Sequence, residues 1–175
     1  MNPIIKILKA LNSNQEPWQI SLAVIFGMVV GLLPFFNLTT LFFIFLVFII
    51  NVNIGIFILS ASFFAVLGFI LDPLLSKIGY LVLTLDPLIP LWTALYNIPY
   101  MKWTAFNNTV TMGALIVSLI FDFPMFFILN KLIEKYREKI AWIFNKFPIL
   151  KSLKIFTIYE KTVGKDWWKF LDYLD

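Results

Sequence analysis

Residues 17–71 read PWQISLAVIFGMVVGLLPFFNLTTLFFIFLVFIINVNIGIFILSASFFAVLGFIL, with no Lys, Arg, Asp or Glu from one end to the other. An ionised side chain costs at least about 2.5–3.5 kcal/mol at a bilayer centre. A soluble domain has no reason to avoid charge so completely, because its helices need a wet face. The stretch therefore reads as chain that sits in lipid. It says where the protein resides, and no reaction can be read from it.

The breaks inside this run divide it. Glu16-Pro17-Trp18 opens a first deep helix over about 18–33, since Pro suits a first turn and Trp an interface. Pro34 stops it at a length of roughly 24 Å, short of a hydrocarbon core of about 30 Å. Phe35, Phe36 and Asn37 make a turn, and Thr39 or Thr40 can cap a second short helix over 39–50. Two short helices joined tightly are either two spans through a thinned region or a re-entrant hairpin buried among other helices. Asn51-Val52-Asn53 is the next break, and 54–71 forms a third helix that Asp72-Pro73 should end.

Outside the run the pattern loosens. Residues 72–104 carry Trp92, Tyr96, Tyr100 and Trp103 among several prolines, which suggests short interfacial helices. Residues 105–129 resume apolar character, interrupted at Asp122 and Pro124, and an amphipathic helix follows over 131–146. Residues 3–12 form another, with Ile4, Ile7, Leu8 and Leu11 at helical spacing. The expected architecture is an all-α, polytopic helical membrane protein with about four apolar helices, two of them short, and interfacial amphipathic helices at both ends. Residues 1–146 make the membrane domain, and 147–175 a basic, aromatic tail.

Composition narrows the chemistry. The 175 residues are 61% apolar and 14% charged, with no Cys and no His. Thiol nucleophiles, disulfides and His-ligated metals are excluded, so neither a cofactor nor a metal site is expected. The formal charge of +4 rests on bases near the two ends. Lipid-adjacent Lys and Arg on the cytoplasmic side account for them better than nucleic acid does. Both termini then read as cytoplasmic, which requires an even number of crossings, here four.

Pro17, Gly27, Gly31-Leu32-Leu33-Pro34, Thr39-Thr40, Asn53 and Asp72-Pro73 follow one another in a familiar order. A Pro precedes a Gly-xxx-Gly helix and Gly-Leu-Leu-Pro; a turn, Thr and two apolar helices follow. Over roughly residues 15–130 the chain resembles the bacterial membrane family catalogued as domain of unknown function twenty sixty-two, in its short single-domain branch. The resemblance implies an integral inner-membrane protein without an established activity. Asp72-Pro73 stands where that family usually has Asn-Pro.

Several residues are candidates for more than structure. Gly27, Gly31 and Pro34 lie at a packing seam, or at a dimer contact. Asn37, Thr39 and Thr40 are turn and cap residues, or they line a substrate site at a broken helix. Asn51 and Asn53 cap the next helix or reach across to another. Asp122 is a cap beside Pro124, or an intramembrane carboxylate with a proton or cation role. Asp72 joins Lys77 and Asp86 in an outward charged group. In the tail, Lys151, Lys154, Trp167 and Trp168 suit an anionic phospholipid surface or a protein partner.

The expected function is a non-enzymatic membrane anchor or assembly partner of a bacterial envelope complex. The alternative is a small transporter or lipid-handling protein that uses the polar turn. The expected partners are the bilayer, an envelope protein and anionic phospholipid.

Overall fold

The structure, a computed structural model, describes residues 16–146. Among these the regular structure is all helical, with no strand. It forms α1 (Pro17–Leu32), α2 (Leu38–Ile49), α3 (Ile54–Leu83), α4 (Ile89–Tyr96) and α5 (Thr109–Lys146), with 3-10 turns at Asp86–Leu88 and Met101–Thr104.

Local chemistry explains the first breaks. Pro17 occupies the first turn of α1, and the Glu16 N–H donates to Gln19 Oε1 at 3.0 Å. Leu33 leaves the helix in extended geometry, as a residue before Pro should. Asn37 caps α2: its Oδ1 accepts the Thr40 N–H at 2.7 Å. The expected cap, Thr39 or Thr40, is thus displaced to Asn37, whose carboxamide reaches the first free N–H groups from outside the helix. Asn51 takes a left-handed φ of 55°, which Asn tolerates better than most residues. Asn53 caps α3 by accepting the Ile56 N–H at 2.9 Å.

Two expected breaks do not occur. Helix α3 runs through Pro73 for another ten residues, and α5 is one helix through Pro124. A proline inside a helix removes one hydrogen bond, but long-range packing can hold the helix together. Beyond Pro73, Leu75 and Gly79 are buried against α5. Beyond Pro124, Ile133 joins a core cluster with Ile20 and Ala23. The stretch of short interfacial helices expected over 72–104 therefore shrinks, because residues 72–83 belong to α3.

Helices α1, α3 and α5 form the core, and α2 lies on α1 and the Met101–Thr104 turn. Helix α1 runs parallel to α3: Ser60 Oγ donates to the Val24 carbonyl at 2.8 Å, and Gly31 lies beside Phe64. Helix α5 is antiparallel to both. Ser21 meets Asn130 near one end, and Leu75 meets Gly113 toward the other. Met28, Val29, Leu32, Leu33, Leu75 and Ala114 fill the second core cluster. Among the described residues, two helices, α3 and α5, are long and apolar enough to cross a membrane; α1 and α2, the other two of the four expected crossings, are apolar but shorter.

Candidate functional site

The tip of the α1–α2 hairpin is closed by its own hydrogen bonds. Asn37 Nδ2 donates to the Pro34 carbonyl at 3.0 Å, and Thr40 Oγ1 donates to the same oxygen at 2.9 Å. Thr39 Oγ1 donates to the Thr104 carbonyl at 2.9 Å, so the Met101–Thr104 turn covers the tip. Asn37 and Thr40 are buried. These polar groups serve the turn and leave few donors for a substrate.

Gly27 and Gly31 face α3. A Cβ on Gly27 would stand 2.5 Å from Ser60 Cβ, and one on Gly31 would stand 2.6 Å from the Ala61 carbonyl oxygen. Gly68 continues this seam from the α3 side, opposite Leu32. The tightest crossing lies elsewhere. A Cβ on Gly79 would collide with the Thr109 carbonyl, and one on Gly113 with the Leu75 carbonyl. Sequence reasoning missed this pair, although two glycines in apolar segments are the usual sign of close helix approach.

Because α1 ends at Leu32 while α3 continues, an open groove of about 610 Å³ lies past the end of α1. Leu33, Pro34, Phe35, Val66, Phe69 and Asp72 are among the residues that line it. Ser76 and Thr109 share a hydrogen bond of 2.8 Å close by. Among the described residues, the expected group of Asp72, Lys77 and Asp86 is not drawn together by any ion pair.

The inward stripe of α5 carries the remaining polar groups. Asn130 accepts from Ser21 Oγ at 2.7 Å. Arg137 is buried, and the Glu16 carboxylate exerts a favourable charge on it. Further along, Thr111, Ser118 and half-buried Asp122 each hold a buried oxygen with no hydrogen-bond partner among the described residues. Asp122 is not a cap, because no helix begins there. Thr111 and Ser118 were not singled out from the sequence, although their spacing of seven and then four residues to Asp122 marks one helix stripe. Lys151, Lys154, Trp167 and Trp168 lie outside the described residues.

These features define an all-helical arrangement, among the described residues, of two potential membrane-crossing helices packed through glycines on each other and on a short third helix, α1. The chain belongs to the family described as uncharacterized protein conserved in bacteria (DUF2062), whose model matches residues 5–141. It is also similar to an uncharacterized protein of Treponema pallidum (strain Nichols), 26% identical over 134 residues that cover 77% of this chain and 83% of that one. No solved structure matches it.

Proposed function

We propose that this is an integral protein of the bacterial inner membrane that serves as a non-enzymatic anchor or assembly partner for an envelope complex. The observation that carries the membrane placement is the outer surface. Phe42, Phe45 and Phe48 on α2, Phe63 and Phe69 on α3, and Phe123 and Phe127 on α5 are all exposed, Phe69 at 86%. Monomeric soluble proteins rarely expose contiguous apolar patches above a few hundred Å². Acyl chains are the solvent that such a surface fits.

In this arrangement α3 and α5 cross the bilayer, and the α1–α2 hairpin enters from the side of the chain ends. Ser21 beside Asn130, and Glu16 acting on Arg137, support both ends of the described chain sharing that side. The internally closed hairpin tip favours an assembly role over a substrate site at the turn. A second reading, a small transporter or lipid-handling protein, draws on the groove beyond α1 and on the unpartnered polar groups of α5.

The chain lacks Cys, so introduced thiols report topology cleanly. Cysteines placed at Asn51 and Asn97 should react with impermeant maleimide from opposite sides of sealed vesicles. Reaction from the same side would refute the two-crossing arrangement. Gentle-detergent purification should bring down a stoichiometric envelope protein, and recovery of the chain alone with bound lipid would favour the second reading.

A further inference from the structure

In this chain, several helical hydroxyls return to the backbone one turn back, and others bond to a neighbouring helix or turn. Ser21, Ser62, Thr84 and Thr93 donate to the carbonyls of Pro17, Ile58, Tyr80 and Ile89, a common pattern. Thr111 and Ser118 do not, although they are 0% and 1% exposed. Asp122 Oδ1 is buried on the same stripe, one turn beyond Ser118, and is equally unpartnered.

An ionised carboxylate in apolar surroundings needs a compensating positive charge. None is at hand. Helices α1 and α2 carry no titratable side chain, and α3 carries none before Asp72. On α5 itself the nearest base is Lys131, nine residues away, or roughly 13 Å along the axis. Asp72 and Lys77 sit near the level of Leu75, which meets Gly113 at the other end of the contact. No base among the described residues supplies that charge, which leaves a cation taken up from the surroundings. One carboxylate balances one positive charge, and a divalent ion would leave an excess charge in apolar surroundings.

We propose that Asp122 and Ser118 form a site for one monovalent cation, a proton or a sodium ion, within the apolar part of the molecule. Thr111 continues the same stripe toward the start of α5. The site goes beyond the anchor role and rests on the membrane placement above.

The test uses the full chain in phospholipid vesicles and dicyclohexylcarbodiimide, an apolar carbodiimide. A carboxylic acid adds its O–H across the C=N bond to give an O-acylisourea, which rearranges to a stable N-acylurea that peptide mass spectrometry locates. Asp122 should be labelled at least about tenfold faster than Asp72 or Asp86, because the apolar reagent concentrates where water and charge are excluded. Sodium chloride slowing the reaction at fixed pH, where potassium chloride does not, identifies sodium as the ligand. Labelling that falls as pH rises but ignores sodium identifies the proton. Ser118→Ala keeps the carboxylate and should shift the sodium or pH dependence several-fold, which distinguishes a site from a merely exposed acid. Asp122 left unlabelled in vesicles that float with the protein overturns the site alone, as does an unchanged dependence in Ser118→Ala. A chain that fails to float overturns the membrane placement and the site together.

Discussion

Helices α1 and α3 are built from nearly the same residues, yet they meet different surroundings. Neither has a charge before Asp72. In α1, Ile20, Ala23, Ile25, Met28, Val29 and Val30 are buried among other helices. In α3, Ile54, Ile58, Phe63, Val66, Phe69 and Ile70 face outward. An apolar run thus states that water is excluded without saying whether protein or lipid excludes it. The difference between the helices follows from length and glycine placement. Helix α1 is short and presents Gly27 and Gly31 to α3, while α3 spends Gly68 on α1 and Gly79 on α5.

The contrast can be broken at the α3–α5 crossing first. Gly113→Ala forces a Cβ into the Leu75 backbone, which has no side-chain end to yield. We expect a loss of about 3 kcal/mol or more, above the ordinary cost of overpacking, read as a lowered unfolding midpoint in detergent titration. Gly79→Ala should match it. On the outer face of α3, Phe69→Lys should cost about 2.5–3.5 kcal/mol if that face meets hydrocarbon. A gain in solubility with no loss of stability would show that water bathes α3.

The α1–α3 seam should be more forgiving. Gly27→Ala meets chiefly the Ser60 side chain, so a loss of about 1–2 kcal/mol is expected. The double variant Gly27→Ala with Ser60→Gly should recover part of it. Gly68→Ala, with its nearest contact at 3.4 Å, should change little. Between α1 and α5, Asn130→Ala removes the Ser21 bond and should cost about 0.6–1 kcal/mol, the usual worth of a hydrogen bond between helices in lipid. One further change should carry the opposite sign. Ala105 holds a left-handed φ of 55°, so Ala105→Gly should stabilise by up to about 1 kcal/mol, seen as a raised midpoint.

Much of the frame was legible locally. Pro34 ends a helix because its ring cannot follow one, and Asn53 caps because its side chain reaches the next turn. Both depend on neighbours within four residues. The same rules misread Pro73 and Pro124, where packing of Leu75 and Ile133 against distant helices outweighs one lost hydrogen bond. Asp122 was legible as an oddity, since a carboxylate in an apolar segment is rare. Its setting was not, because the failure of Ser118 and Thr111 to find partners depends on which helices close over them.

The residue order alone determined that water is kept from most of this chain, and where short-range sterics and caps turn it. Only the tertiary structure decided which prolines are passed through, which glycines carry the crossings and which polar atoms are left without partners. Charge and backbone geometry act within a turn or two, whereas those outcomes depend on contacts between segments as far as 109 residues apart.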